Sequence, residues 1–257
     1  MQLIDTHTHL YLQDFAQDID DVIQRAETEG VSHFLLPAID GEVHDDMFAL
    51  EKKFPGQCLA MAGLHPCSVK ENYTEELRAV QELLEKRKFI AIGETGLDFY
   101  WDKTFTREQY ESLKMHAEWA IHYNLPLVLH TRDAMQETID IIKLYNGRGL
   151  KGVFHCFSGT AENAREIIDQ DFLLGIGGVV TYKKSGLAEM LERVPMKNII
   201  LETDAPYLTP VPFRGKRNES SYLTFIAKKI AEIKNVDAEK VAAQTTENAI
   251  RLFNLPG

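Results

Sequence analysis

Short apolar runs recur along the chain, and each is followed by a stretch with helical spacing. The runs cover residues 3–6, 32–37, 58–64, 89–93, 126–130, 152–155, 172–177 and 198–203, eight in all. They are rich in leucine and β-branched residues and lack polar alternation, the pattern of strands buried on both faces. Between them, Ile19, Val22, Ile23 and Ala26 share one helical stripe, with Gly30 placed to end it. Thr106 and Gln109 have the spacing of a capping box ahead of Tyr110, Leu113, Ala117, Ala120 and Ile121. Ala161, Ala164, Ile167 and Ile168 make a further stripe, as do Leu223, Ile226, Ala227, Ile230 and Ile233. Residues 237–253 predict a last helix that covers the structure. Strand and helix alternate with no low-complexity linker or internal repeat, so the pattern predicts an α/β fold, a TIM (β/α)8 barrel, as one domain over residues 1–257. A doubly wound sheet usually shows a glycine-rich first turn, whereas the first strand here runs into His7-Thr8-His9.

Composition narrows the function classes. The net charge of −11 argues against a protein that coats duplex DNA non-specifically, so an anionic substrate must be attracted locally, by metal or by a small basic cluster. Cys58, Cys67 and Cys156 form no Cys-x-x-Cys and cannot make a paired framework; a reducing, cytoplasmic setting is expected. The chain shows no apolar run of about 18 residues and no signal-peptide pattern, so no membrane association is expected, and no obligate protein partner is evident.

On the barrel framework the histidines separate into two sets. His7 and His9 lie at and just beyond the first strand end, and His65 follows the third strand. Glu94 follows the fourth, His130 ends the fifth, His155 ends the sixth and Asp204 follows the eighth. All strand C-termini of such a barrel open on one face, where active sites are built. His33, His44, His116 and His122 show no such convergence and are read as structural or surface groups. Imidazole and carboxylate donors without thiolate suit Zn, Mn, Fe or Mg. Six candidate ligands exceed what one tetrahedral ion with an open position needs, and they fit two divalent ions sharing a carboxylate. Glu94, midway round the barrel, is the expected bridge; His7, His9 and Asp204 would complete one site, His130 and His155 the other. A water activated between the ions would be the nucleophile and Asp204 the general base.

The strings DTHTHL, GLHP, IGETGLDFY, LVLHTRD, GVFHCFSG, LETDAPYLTP and RGKRNE, in this order, resemble the TatD family of metal-dependent deoxyribonucleases, within the amidohydrolase superfamily. The resemblance runs from about Leu3 to Phe253. It implies a TIM barrel, a divalent-metal centre and 3′–5′ exonuclease-type hydrolysis of DNA phosphodiesters. Carried over by position, the metal ligands are His7, His9, Glu94, His130, His155 and Asp204, and His65 contacts substrate beside the metals. Glu94 takes the bridging place that a carboxylated lysine holds elsewhere in the superfamily. One departure is visible: RGKRNE continues with Ser220, where the family commonly has proline.

Arg214, Lys216 and Arg217 interrupt an acidic chain just after the eighth strand and are candidate phosphate contacts. Gly175, Gly177 and Gly178 could expose backbone N–H groups to phosphate, although a turn needing positive φ explains them more simply. Tyr100 and Trp101 could stack on a terminal base or pack in their loop. Asp98 and Arg132 are expected to hold ligands from behind, and Cys156 to point toward the helices. Two other functions compete with the nuclease reading. One keeps the metals but cleaves an ester or amide, such as a D-aminoacyl-tRNA; the other is a non-catalytic binding barrel, which predicts missing ligands.

Overall fold

In the computed structural model, which describes residues 1–256, each apolar run forms a parallel strand with helices packed outside it. The strands are β1 (Leu3–Asp5), β2 (Val31–Leu36), β3 (Cys58–Ala60), β4 (Ile92–Asp98), β5 (Leu127–Arg132), β6 (Gly152–Phe154), β7 (Phe172–Ile176) and β8 (Ile199–Leu201). The helices are α1 (Ile19–Thr28), α2 (His44–Lys53), α3 (Tyr73–Lys86), α4 (Thr106–Tyr123), α5 (Met135–Lys143), α6 (Ala161–Ile168), α7 (Leu187–Arg193), α8 (Leu223–Lys234) and α9 (Ala238–Phe253). The strands pair in sequence order as two ladders, β1 to β3 and β4 to β8. One seam is joined by a parallel bridge between Ala62 and Ile92. At the other, Thr6 donates to the Leu201 carbonyl through its N–H (3.1 Å) and its Oγ1 (2.9 Å). With both seams hydrogen-bonded, the strands adopt the TIM-barrel arrangement. Among the described residues, no helix is long and apolar enough to cross a membrane.

The interior is layered. Ile4, Leu35, Met61, Ala91, Val128, Val153, Leu173 and Ile200, from the strands or their flanks, form one apolar cluster with Ala249, Leu252 and Phe253 of α9 and with Leu255. The last helix thus plugs the barrel floor. Side chains two residues further along a strand face the same interior, one layer higher. There the chain supplies Thr6, Pro37, Gly63, Gly93, His130, His155, Gly175 and Glu202, so the apolar floor is followed by a layer of small residues that leaves room for polar side chains.

The fourth strand differs most from the sequence expectation. It was expected at 89–93 with Glu94 after it; β4 instead runs from Ile92 to Asp98, and Glu94 lies within it. The register against β5 slips between Ile92 and Thr95, a bulge that re-aims Glu94 while pairing continues through Gly96–His130 to Asp98–Arg132. Gly96 permits this approach, because a Cβ there would lie 1.9 Å from the His130 carbonyl. Hydrophobic patterning ends a strand where apolar residues stop, and so misses one that continues into polar residues facing a site.

Candidate metal centre

Glu94 is the hub. Its carboxylate is buried, and its two oxygens face different sets of histidines. Oε2 lies 3.1 Å from His7 Nε2 and 3.8 Å from His9 Nε2. Oε1 lies 2.8 Å from His155 Nε2, 3.0 Å from His130 Nδ1 and 3.5 Å from His65 Nε2. Asp204 closes the group from β8, with Oδ1 3.5 Å from His9 Nε2 and 3.7 Å from His7 Nε2. Three overlapping triads place their donor atoms within 4.8 Å of one another: His7–His155–Asp204, His7–His9–Glu94 and His65–Glu94–His130. The seven residues named from the sequence therefore meet at one place.

For His9, His130 and His65, the partner of one ring nitrogen identifies how the other is presented. Tyr11 donates its hydroxyl to the Pro37 carbonyl (2.6 Å), so it accepts from His9 Nδ1–H (2.8 Å) and leaves His9 Nε2 as a lone pair facing Asp204. His130 donates Nε2–H to Asp98 Oδ2 at 3.0 Å, which leaves Nδ1 toward Glu94. His155 turns Nδ1 toward Glu202 Oε1 at 3.5 Å and Nε2 toward Glu94. His65 is opposite in sense. Its Nδ1 accepts the Cys67 N–H at 3.0 Å, so in the neutral ring Nε2 carries the hydrogen and is a donor. Neither ring nitrogen of buried His7 has a hydrogen-bond partner, and its Nε2 meets Glu94 without hydrogen-bond geometry. An orphaned buried group of this kind costs about 1–3 kcal/mol, and a cation at Nε2 would remove much of that cost.

Electrostatics agree with a cation site. Burial pushes the Glu94 carboxyl up, yet the charges of His155, His7 and His65 and a hydrogen bond from His130 hold it well below the usual range. Burial likewise opposes ionisation of Asp204, which the His9 contact and the charges of His155 and His7 outweigh. His130 and His155 are raised, because Glu94 together with Asp98 or Glu202 overcomes the effect of burial. Metal ions compete with protons for those nitrogens, so affinity falls as pH falls.

Several expectations need correction. Gln109 forms no capping box; it grips the Asp98 backbone instead, accepting from its N–H (2.9 Å) and donating to its carbonyl (3.3 Å). Asp98 supports His130 as expected, but Arg132 contacts no ligand and lies over Tyr100 and Trp101. Cys156 does not face the helices: the chain turns to φ 46° after β6 ends, and the residue lines the cleft. Gly175, Gly177 and Gly178 have no positive φ; a Cβ at Gly175 would meet Glu202 Oε2 at 2.2 Å and one at Gly178 the Leu208 carbonyl at 2.1 Å. Gly175 and Gly178 are there for space, whereas a Cβ at Gly177 would make only ordinary contact with Glu202 at 3.6 Å.

The basic loop is corrected as well. Arg217 binds Asp18 with both guanidinium nitrogens (2.8 and 2.7 Å), donates to the Asp14 carbonyl and covers the Phe15 ring. It presents no free charge. Arg214 lies over Tyr182 and Lys216 near Phe213, and neither lines the cleft. Glu202 was missed. It is buried, accepts the Cys156 N–H and places Oε1 3.5 Å from His155 Nδ1. The signal was available: Glu202 stands two residues before Asp204 and two after Ile200, just beyond β8 and in phase with its interior side. Asp5 was missed too; it accepts from Thr203 N–H (2.9 Å) and Oγ1 (2.6 Å) and ties β1 to the segment bearing Asp204.

A buried histidine and carboxylate cluster at the strand ends of an α/β barrel is the construction of a metal-dependent hydrolase. The chain matches the family described as TatD related DNase over residues 4–254. It is 38% identical over 254 residues to the metal-dependent hydrolase YabD of Bacillus subtilis, covering 98% of this chain and 99% of that protein. It is 33% identical over 261 residues to the 3′-5′ ssDNA/RNA exonuclease TatD of Erwinia tasmaniensis, with 98% and 100% covered. The crystal structure of YJJV, a TatD homologue from Escherichia coli, superposes with a TM-score of 0.93 at 29% identity, covering 99% of this chain and 98% of that one. This protein belongs to the TatD-related family of metal-dependent hydrolases.

Proposed function

We propose that the chain acts as a single hydrolase barrel with two divalent ions, removing nucleotides from the 3′ ends of single-stranded or frayed DNA. The observation that carries this reading is the division of contacts at Glu94, one oxygen toward His7 and His9 and the other toward His130 and His155. A carboxylate in that position can hold two ions side by side, with Asp204 completing the first. When bound, the ions supply the positive charge that polarises a phosphate and lowers the pKa of water. Asp204, held ionised by the His9 contact and the charges of His155 and His7, would be the general base toward a water so activated. His65 offers Nε2–H to a phosphate oxygen at the edge of the cluster. The cluster lies in a cleft of about 730 Å³, which suits a chain end better than a continuous duplex. An acidic chain agrees with that, since few phosphates need be gripped. The relative in Erwinia named as an exonuclease supports the same substrate class.

The test combines elemental analysis of the purified protein with an assay on 3′-labelled single strands. About two metal equivalents and metal-dependent release of mononucleotides are expected. A metal-replete preparation that releases no nucleotide but cleaves acyl esters would replace this reading with the ester or amide one.

A further inference from the structure

Beyond the histidines and carboxylates, one cation on the cleft wall is left unengaged. Arg132 ends β5, two residues beyond His130, which is itself two beyond Val128 of the apolar floor. Strand alternation puts all three on the interior side, as floor, cluster and mouth. At about 3.3 Å per residue, Arg132 stands about 7 Å above His130. Its guanidinium makes no ion pair or hydrogen bond among the described residues, although carboxylates outnumber cations in this chain. Instead it lies over Tyr100, 3.8 Å from the ring centroid, and within 5.2 Å of Trp101.

The platform is itself fixed to the centre. Asp98 Oδ1 accepts the N–H groups of Tyr100 (2.9 Å) and Trp101 (3.2 Å), while Oδ2 orients His130. Trp101 remains 68% exposed and Tyr100 53%, so this loop buries little of either ring. The Tyr100 ring covers one side of the guanidinium, with Trp101 nearly perpendicular to it beside them, and the N–H donors along the guanidinium edge have no partner among the described residues. A stacked arginine has also met part of its ordering cost before any ligand arrives. Arg217 shows the contrast, since its edge is filled by Asp18.

We propose that Arg132 binds a phosphate next to the one being hydrolysed, so that the enzyme selects phosphodiesters carrying a second phosphate group. This rests on the phosphodiesterase reading of the centre. Arg132 is a specificity residue in this scheme: it grips the chain without touching the scissile group.

The test uses the metal-loaded enzyme and two probes. One is a single-stranded oligonucleotide whose 3′-terminal linkages are phosphorothioates, titrated while Trp101 fluorescence is followed; the only other tryptophan, Trp119, is buried. The other is bis(p-nitrophenyl) phosphate, which has no second phosphate. Arg132→Gln is expected to weaken oligonucleotide binding about 10- to 100-fold. The ratio of kcat/KM for an ordinary oligonucleotide to that for the small diester should fall by a similar factor, through KM. Arg132→Lys should fall between, because it keeps charge but loses the fork and the stack. Unchanged binding overturns the proposal, and so does an unchanged ratio, which would make Arg132 part of the hydrolytic apparatus or of the fold. If the wild type binds, Arg132→Gln does not, and neither probe nor oligonucleotide is cleaved, the phosphodiesterase reading fails while the anion site stands. If both substrates are cleaved and Arg132→Gln changes nothing, the reverse holds.

Discussion

The strand-end cluster and the loop around residues 214–217 share the catalytic face, and the sequence marks both as candidate sites. They differ in how backbone constrains side chain. Within the cluster, His130, His155 and Glu202 sit two residues beyond the floor positions Val128, Val153 and Ile200, so strand alternation sends them to one place. In the loop nothing fixes direction, and Arg217 folds back on Asp18. The loop acts as a strap. Glu219 pairs with Arg25 of α1 (2.7 Å), and Asn218 Nδ2 holds the carbonyls of Thr203 (2.8 Å) and Tyr207 (2.6 Å) on either side of Asp204. Residue type nominates a site, but the geometry of the element that carries it decides whether the group is available.

The comparison breaks most sharply at Glu94. Glu94→Ala removes the contact common to every triad that includes it, and kcat/KM should fall about 1000-fold or more with loss of bound metal. Elemental analysis beside the nuclease assay checks this; full activity in the variant would end the shared-bridge mechanism. Next comes a split inside the cluster. His130→Ala should lose metal, because His130 presents a lone pair, whereas His65→Ala should keep metal and lose kcat about 100- to 1000-fold, because His65 presents a hydrogen. If His65→Ala strips the metal, the assignment of His65 as a donor is wrong.

Much of this was legible in the sequence, and the failures have physical causes. Eight apolar runs give the barrel because parallel strands buried on both faces must be apolar. The cluster is legible because ligands placed at strand ends converge for any barrel. Glu202 lies inside the run 198–203 and was overlooked although its spacing from Ile200 and Asp204 marks it, while β4 was obscured by a bulge that patterning cannot see. Arg132 and Arg217 could not be told apart, because ion pairing with Asp18 depends on where α1 enters, a tertiary fact.

His116 separates buried chemistry from buried support. It lies on α4 outside the cluster, accepts the Leu64 N–H at Nε2 (3.0 Å) and donates Nδ1–H to the Ser112 carbonyl (2.7 Å). It thereby anchors the residue preceding His65. Burial lowers it from 6.5 to about 4, against the opposing hydrogen bond to the Ser112 carbonyl. The unfolded chain binds that proton first, so stability is unaffected above pH 6.5 and falls as pH drops toward 4. At about pH 5 the loss is about 2 kcal/mol. His116→Gln should flatten that part of the profile in denaturant titrations at stepped pH. A difference between the two profiles that is constant across the range would show that His116 does not titrate there.

The smallest effect is the one that sharpens the comparison most. Arg217→Ala removes a two-pronged pair between groups about one-third exposed, worth about 1 kcal/mol, or a shift of about 2–4 °C in Tm. Oligonucleotide affinity and its salt dependence should not change, because the guanidinium that a phosphate would need is already held by Asp18. Arg132→Gln should do the reverse, weakening binding about 10- to 100-fold while Tm falls by no more than the loss of an exposed stack on Tyr100 allows, about 0.5–1 kcal/mol. Thermal unfolding and a salt-stepped binding titration on the two variants separate a strap from a site. An Arg217→Ala protein with normal Tm and weakened binding would return the basic loop to the substrate path, and would mean that Asp18 gives up its arginine when a chain end enters the cleft.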